Sequence, residues 1–322
     1  MKNVLITGGL GFLGSYSIEL WKKNGWDITV IDNLSTNVIK PDHEICNDVN
    51  VIIKDILECS WENLGKYDMI VHLASPVGPA GILQHSGKIA DYILSDIYWS
   101  IEGAQKNKCP LIFVSTSEIY GHRDEVVFLG EEEDKILRGN FSVRNEYSMA
   151  KLLSEIVLSN SAKVSDLKYQ IIRPFNISGA RQLKNGGFVL PTFVQQALEG
   201  NDITVFNSGE QIRAFTHVSD IVKGIYLTSV ADESLYNQSW NIGNAKNVST
   251  INELARIVKS KTQSVSNVIH VDPKTIHGPL YEEAWDKVPD ATKAKDNLGW
   301  DPVWTKEQII QDVITYYQTL AD

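Results

Sequence analysis

The chain has 322 residues, of which 43% are hydrophobic and 22% charged, and these ordinary globular values argue against extensive disorder. Its 30 Lys and Arg residues against 40 Asp and Glu residues give a net charge of −10, so we expect no nucleic-acid or anionic-membrane partner. The three cysteines form no CxxC pair, which argues against disulfides and a metal site. No apolar run approaches the length of a membrane span. We therefore expect a cytoplasmic protein.

The first half of the chain alternates short apolar runs with amphipathic stretches. The runs are rich in β-branched residues and predict strands at Val4–Ile6, Ile28–Ile31, Val51–Ile53, Met69–Val71 and Leu111–Val114. The stretch from Phe12 to Asn24 predicts a helix that ends at Gly25. Strands that are apolar on both faces and separated by helices indicate an α/β fold with a parallel sheet covered on both sides.

A glycine motif stands between the first predicted strand and the first helix, in Thr7-Gly8-Gly9-Leu10-Gly11-Phe12-Leu13-Gly14. Gly8 would permit a tight turn, Gly11 would let the backbone approach a pyrophosphate, and Gly14 would let the helix pack closely. Asp32 ends the second strand, where a carboxylate accepts hydrogen bonds from both ribose hydroxyls and repels a 2′-phosphate. We therefore predict a dinucleotide site that prefers NAD to NADP.

Asp55 ends the third predicted strand, where it could meet the adenine edge or cap an exposed turn. We predict further cofactor contacts in the first helical turn and at the ends of neighbouring strands, from Phe12, Leu13, Asn33, Ile56, Leu73, Ala74 and Ser75.

Tyr147 and Lys151 are four residues apart and share one face of a predicted helix. An ammonium group nearby lowers the pKa of a phenol and so converts the tyrosine into a usable base. A YxxxK pair alone is common by chance. Here, however, Ser115-Thr116-Ser117-Glu118-Ile119-Tyr120-Gly121 follows the fifth strand, where ligand crevices of open α/β sheets lie.

Beyond residue 173 the pattern loosens, with helices predicted near 188–199, 218–230, 250–261 and 305–319 and strands near 203–206 and 239–242. We predict an NAD-binding domain over residues 1–173. Residues 174–322 would mainly form a smaller α/β substrate lobe, with segments that return to the first domain. The acidic run Glu131-Glu132-Glu133-Asp134 is predicted to be a solvated loop.

These motifs resemble those of extended short-chain dehydrogenases/reductases, in the group of NAD-dependent nucleotide-sugar epimerases, dehydratases and decarboxylases. Further matches cover essentially the whole chain: His72-Leu73-Ala74, Arg173-Pro174-Phe175-Asn176, Arg213-Ala214-Phe215-Thr216-His217-Val218, Asn241-Ile242-Gly243, Val288-Pro289-Asp290 and Leu298-Gly299-Trp300. The resemblance implies a Rossmann-type NAD domain, a C-terminal lobe that binds a nucleotide sugar, most simply a UDP-sugar, and a homodimer paired through two helices, one of which carries Tyr147 and Lys151.

The resemblance also implies roles for individual residues. Tyr147 would take the proton of a sugar 4-hydroxyl while hydride moves from C4 to NAD, Lys151 would hold the nicotinamide ribose, and Thr116 would share the hydroxyl proton. The product of this step is a 4-keto sugar. Arg213 would bind the pyrophosphate and Phe206 a nucleobase. The other substrate candidates are Ser117, Arg144, Asn176, Arg181, Tyr281 and, more weakly, Lys287.

The fate of the 4-keto sugar distinguishes members of the family. Simple 4-epimerases return the hydride and leave Glu118 without chemical work, and many 4,6-dehydratases have Asp where this chain has Ser117. Nucleotide-glucuronate decarboxylases resemble this chain in Thr-Ser-Glu, which GDP-mannose dehydratases share, and in an Arg at the position of Arg144. They also lack the Pro that epimerases and dehydratases usually have at the position of Glu146.

We therefore expect a UDP-glucuronate decarboxylase in which Glu118 and Arg213 manage the proton returned to C5. A nucleotide-sugar 4-epimerase, of UDP-glucuronate or UDP-glucose, and a 4,6-dehydratase are alternatives, and a non-catalytic NAD sensor is a remote one. The sequence departs from the family on the helix before the fifth strand, where Asp96-Ile97-Tyr98-Trp99-Ser100 replaces the usual Asn-x-x-Gly-Thr.

Overall fold

The computed structural model describes residues 2–123, 128–139, 141–284 and 286–320. The strands of these residues, in chain order, are β1 (Lys2–Thr7), β2 (Trp26–Asp32), β3 (Asn50–Ile53), β4 (Met69–His72), β5 (Leu111–Val114), β6 (Phe128–Leu129), β7 (Tyr169–Pro174), β8 (Ile177–Ser178), β9 (Ile203–Phe206), β10 (Ile212–Ala214), β11 (Thr216–His217), β12 (Gln238–Ile242), β13 (Val248–Thr250), β14 (Val268–Val271) and β15 (Val288–Pro289).

The helices of the same residues are α1 (Phe12–Lys23), α2 (Gly78–Gln84), α3 (Ile89–Asn107), α4 (Val143–Lys163), α5 (Val189–Leu198), α6 (Val218–Ser229), α7 (Ile251–Thr262), α8 (Lys274–His277), α9 (Thr292–Leu298) and α10 (Lys306–Thr319). Short 3-10 turns begin at Glu44, Ile56, Ser117, Lys184 and Glu233. No helix of the described residues has both the length and the apolar character needed to cross a membrane.

Seven parallel strands form the central sheet, in the order β12-β7-β5-β4-β1-β2-β3. The chain moves outward from β1 to β3 and then returns to β4 on the other side of β1. The strand order therefore reverses between β1 and β4, and a crevice opens at the carboxyl ends of such a pair. The predicted α/β fold with a parallel sheet is confirmed, and strands β1–β5 include all the runs predicted from the sequence.

Helices cover both faces of the sheet, which explains why its strands are apolar throughout. On one face α1 and α6 pack over a core that includes Trp21, Ile225 and Trp240. On the other face α3 and α4 cover a second core that includes Trp99 and Leu158. Helix α3, which contains residues 96–100, and helix α4, which contains Tyr147 and Lys151, thus lie side by side along one face.

The C-terminal part has a core of its own, built by α5, α7 and α10 against β9. Two later elements pack with the first half: β12 joins the sheet as an edge strand beside β7, and α6 lies against α1. The helices predicted near 188–199, 218–230, 250–261 and 305–319 correspond to α5, α6, α7 and α10.

The acidic run at residues 131–134 departs from the prediction at its first residue. Glu131 is buried, and its carboxylate accepts a hydrogen bond from the Asn241 backbone amide at 2.8 Å. Because β12 is the edge of the sheet, that amide has no strand partner on its outer side, and Glu131 satisfies it. Burial raises the pKa of Glu131. The remaining acidic residues of the run are exposed, as predicted.

Candidate active site

The glycine turn after β1 is tightly enclosed. Gly8 has φ +67°, and a Cβ added there would lie 2.9 Å from the Ala74 backbone nitrogen. A Cβ at Gly14 would lie 2.2 Å from the Gly8 carbonyl oxygen, so α1 packs directly on the turn. Gly11, the N-cap of α1, supplies no side-chain cap. The first amides of α1 can therefore donate to a phosphate group, which is the role that the sequence motif predicts for this turn.

Asp32 connects this turn to the end of β2. One carboxylate oxygen accepts a hydrogen bond from the Leu10 amide at 2.9 Å, and the other accepts one from the Leu34 amide at 2.8 Å. Burial raises the pKa of Asp32, and the two amides oppose that effect. Each oxygen keeps a second lone pair for a ribose hydroxyl. The contact with Leu10 gives Asp32 a structural role that sequence reasoning missed.

The other predicted cofactor residues lie at the same edge of the sheet. The Asn33 side chain donates to Asp55 at 3.0 Å, and Asp55 also caps a 3-10 turn through the Leu57 amide at 3.0 Å. Both roles proposed for Asp55 are thus compatible. The remaining candidates flank the crevice in α1, in the 3-10 turn and after β4: Phe12, Leu13, Ile56, Leu73, Ala74 and Ser75. The Leu73 and Ala74 amides share the Thr7 hydroxyl, each at 3.2 Å.

Tyr147 and Lys151 lie in the first turns of α4 and are almost fully buried. Burial raises the pKa of the Tyr147 phenol, and a hydrogen bond with Thr116 opposes this. Burial lowers the pKa of Lys151 to about 8, with Asp96 and Glu155 acting in the other direction. The Lys151 ammonium donates to the Val114 carbonyl at 3.0 Å. The structure therefore brings the predicted Thr, Tyr and Lys together at the end of β5.

Glu118 is the centre of a buried ion cluster beside Tyr147. One carboxylate oxygen accepts a hydrogen bond from Arg144 at 2.9 Å, and the other accepts one from the Lys287 ammonium. Burial alone would raise the pKa of Glu118, but Lys287 and Arg144 together lower it to about 2. Burial lowers the pKa of Lys287 to about 8 against the opposing effect of Glu118.

Lys287 was only a weak candidate in the sequence. It lies 169 residues from Glu118 along the chain, so no local spacing connects the two. Its place directly before the matched Val288-Pro289-Asp290 motif was the one available signal.

The segment that leads to Lys287 is held by two arginines. Arg144 donates to the Glu282 carbonyl at 3.2 and 3.0 Å from two of its nitrogens. Arg213 donates to the Glu283 carboxylate at 2.8 Å and to Asp286 at 3.3 Å. Two carboxylates therefore occupy the guanidinium that was predicted to bind pyrophosphate.

Phe206 and Tyr281 belong to an aromatic cluster near this segment. Their ring centroids are 5.7 Å apart and nearly perpendicular, and His277 stacks on Tyr281 at 4.8 Å. Phe206 is only half-buried at the end of β9. Tyr281 also lines a cavity of about 1060 Å³ between α4 and the segment 272–283. Phe206 keeps exposed surface on which a base could stack, whereas Tyr281 is buried behind it.

The remaining substrate candidates have different surroundings. Arg181 lies 3.6 Å above the Tyr16 ring and pairs with Glu19 at 2.6 Å, so its guanidinium is committed to α1 rather than to the Glu118 cluster. The geometry thus gives no support to the predicted substrate contact of Arg181. Asn176 donates to the Ala214 carbonyl at 3.3 Å, and Ser117 is buried in the turn between Thr116 and Glu118.

Comparisons with known proteins agree with this geometry. A family model described as "NAD dependent epimerase/dehydratase family" matches residues 4–243. The UDP-N-acetyl-alpha-D-glucosaminuronate decarboxylase of Bacillus cytotoxicus is 30% identical over 325 aligned positions, which cover 100% of this chain and 99% of that protein. UDP-glucuronic acid decarboxylase 1 of Danio rerio is 31% identical over 318 positions, 98% of this chain and 72% of that protein. The UDP-glucose 4-epimerase of Thermotoga maritima, solved with UDP-glucose, superposes with a TM-score of 0.87 at 25% identity and covers 99% of this chain and 100% of that one.

Proposed function

The chain belongs to the NAD-dependent epimerase/dehydratase family, and we propose that it decarboxylates a UDP-linked uronic acid through a 4-keto intermediate. UDP-glucuronate is the substrate expected from the sequence. The Bacillus cytotoxicus relative, named for a 2-acetamido uronate, adds the corresponding acetamido sugar as the second substrate to test.

The main support for this proposal is the charge of the Glu118 cluster, which consists of Glu118, Arg144 and Lys287. The cluster holds one carboxylate and two cationic groups, Arg144 and Lys287, whose side chains are largely buried. The nearby carboxylates of Glu283 and Asp286 are bonded to Arg213, so with a neutral hexose Arg144 and Lys287 would share Glu118 as their one bonded carboxylate among the described residues. The C5 carboxylate of a uronate would supply a second one. A substrate with this charge therefore fits the cluster better than the substrate of a simple glucose epimerase.

The residues at the carboxyl edge of the sheet fit NAD, through the uncapped start of α1 and the free lone pairs of Asp32. Bound NAD would supply the acceptor, and later the donor, of a hydride at C4 of the sugar. Tyr147 as phenolate takes the 4-hydroxyl proton, and Thr116 holds that hydroxyl by a hydrogen bond. The charged Lys151 stabilises the phenolate.

Loss of CO₂ follows from the position of the new keto group. The C4 carbonyl is β to the carboxylate, so the electron pair of the breaking C5–C6 bond moves into an enolate on the C4 oxygen. The protonated Tyr147 and Thr116 stabilise that oxygen by hydrogen bonds. A proton must then reach C5 before the 4-keto group is reduced again.

We assign that proton to Lys287, because burial lowers the pKa of its ammonium to about 8 and so makes it a usable acid. The pKa of Glu118 is about 2, which makes it a poor acid and suits it to hold Lys287 in place. Arg213, expected from the sequence to share this role, is a guanidinium that does not release its proton near neutral pH. We therefore assign the C5 proton to Lys287 and the diphosphate of the nucleotide to Arg213. Phe206 would contact the base, with Tyr281 packed behind it.

We also propose that residues 1–173 form the NAD-binding domain and that residues 174–322 mainly form the substrate lobe, with α6 and β12 returning to the first domain. We further propose that the protein is a cytoplasmic homodimer. The outer sides of α3 and α4 expose large apolar side chains, with Tyr98 58% exposed, Ile156 48% and Leu153 44%, which a second copy would cover. The three cysteines are buried and unpaired, in keeping with a reducing compartment.

A substrate panel with product analysis by mass tests the proposal. Purified protein is incubated with UDP-glucuronate, its 2-acetamido analogue, UDP-glucose and GDP-mannose. We expect a pentose-type product, lighter by one CO₂, from a uronate only. Turnover of neutral hexoses to 4-epimers or to dehydrated 4-keto-6-deoxy sugars, with the uronates unchanged, would contradict it. Glu118→Gln should remove decarboxylation because the amide no longer anchors Lys287.

A further inference from the structure

Asp96 is a buried carboxylate that the reaction described above does not use. It lies in the middle of α3 with 9% of its surface exposed. Among the described residues no N–H or O–H group donates to its carboxylate, and the Ser100 hydroxyl donates to its backbone carbonyl instead, at 2.9 Å. An ionised carboxylate in such a place is costly unless a charge or ligand compensates it.

Two charged residues face Asp96 from neighbouring elements. Lys151 acts on Asp96 through its charge from α4, which packs along α3, with no ion pair within 4.0 Å, and Asp55 acts on it from the turn after β3. Asp96 therefore lies along the crevice between the predicted adenosine contact and the catalytic lysine. Burial raises the pKa of Asp96 to about 7, Asp55 adds to that effect, and Lys151 opposes it.

The surroundings of Lys151 contain little other compensation for its charge. Lys151 is 2% exposed, and its ammonium donates to a backbone carbonyl and lies 4.8 Å from the centre of the Phe113 ring. The anions that face it are Asp96 and Glu155. Glu155 is already bound to Arg173 by three hydrogen bonds of 2.7–3.2 Å.

The remaining titratable neighbours of Lys151 carry no compensating negative charge. His72, on β4, is stacked on Phe113, and burial followed by the charge of Lys151 lowers its pKa to about 3, so it is neutral. Tyr147 is on the same helix, and burial raises the pKa of its phenol, which disfavours a negative charge there. Asp96 is thus the anion near Lys151 that has no other described partner.

We propose that Asp96 is a positioning residue that acts through Lys151: its carboxylate keeps the buried ammonium charged, so that Lys151 can stabilise the Tyr147 phenolate during hydride transfer. The proposal rests on the proposed function for the role of Tyr147. The electrostatic coupling itself depends only on the geometry of α3 and α4.

The direct test is the protonation of Lys151 in Asp96→Asn, a variant of equal size without the charge. Protein labelled with ¹³C-lysine is titrated by NMR, and the Lys151 Cε resonance is identified by its loss in Lys151→Arg. We expect the midpoint to fall by about one pH unit or more in Asp96→Asn. The matched control is Asp91→Asn, which removes the same charge from the exposed first turn of α3 and should leave the midpoint unchanged.

A second readout links the coupling to activity. The rate of reduction of bound NAD is followed against pH when substrate is mixed with the holoenzyme. In Asp96→Asn the alkaline limb should move to lower pH by the same amount as the NMR midpoint. An unchanged midpoint, or a uniform loss of rate at every pH, would overturn the proposal and leave Asp96 a structural residue. Failure of every nucleotide sugar to reduce NAD would instead refute the proposed function, while the NMR result still decides the coupling.

Discussion

The Glu146 carboxylate accepts a hydrogen bond from the Gly87 amide at 2.7 Å, directly before α3 begins. Its second oxygen accepts one from the Ala90 amide at 3.3 Å. Lys88, the N-cap of α3, provides no side-chain cap of its own. The residue before Tyr147 therefore caps the neighbouring helix, the one that carries Asp96. This contact gives a physical reason for a glutamate where the resembled epimerases and dehydratases have proline.

Replacing Glu146 by Ala should destabilise the protein by about 1 kcal/mol, the usual cost of a lost helix cap. Thermal or urea unfolding measures the change. Glu146→Gln is the matched variant, since its amide oxygen still accepts one of the two hydrogen bonds, and its loss should be smaller. Equal stability of all three proteins would show that the cap contributes nothing.

Tyr147→Phe should abolish reduction of bound NAD by substrate and leave NAD affinity nearly unchanged. The phenol oxygen supplies proton transfer, which contributes about 10²–10⁴-fold in rate, whereas the ring supplies only packing. Lys151→Ala should impair both properties, because the ammonium serves the ribose and the phenolate. Rapid-mixing absorbance and a binding isotherm separate the two effects. Retention of more than about a tenth of the rate in Tyr147→Phe would place the base elsewhere.

Asp32→Ala should weaken NAD binding and reduce the discrimination against NADP. The carboxylate repels a 2′-phosphate, and it also fixes the glycine turn through the Leu10 amide. Asp27→Ala removes the same charge from an exposed position of β2 and should change neither affinity. Calorimetric titration with both cofactors measures the ratio. Equal affinity of the unmodified protein for NAD and NADP would contradict the assignment.

Glu283→Gln should tighten UDP binding several-fold. The Glu283 carboxylate now pairs with Arg213, and a diphosphate must displace it to reach the guanidinium. The exposed Glu210→Gln, with the same charge change before β10, is the control. Weaker UDP binding in Glu283→Gln would mean that this pair holds Arg213 in its binding position rather than competing with the ligand.

The accuracy of the sequence predictions depended on how local each signal was. The glycine turn, the YxxxK spacing and the apolar strands are set by neighbours within one element, and the structure has all of them where they were expected. Lys287 and Glu131 acquire their partners from distant segments, so their sequence context alone did not identify those contacts. Arg181 has a side chain that could bind a charged substrate, but Tyr16 and Glu19 on α1 hold its guanidinium.

The proposed decarboxylation with proton return at C5 is tested most directly by mass analysis of the product formed from UDP-glucuronate in D₂O, with the 2-acetamido uronate run in parallel. A product lighter by one CO₂, with one deuterium fixed at C5, is the predicted result, because the proton delivered to C5 comes from an exchangeable group such as the Lys287 ammonium. Recovery of the 4-epimer with its carboxylate intact would contradict the account and identify the protein as a uronate epimerase.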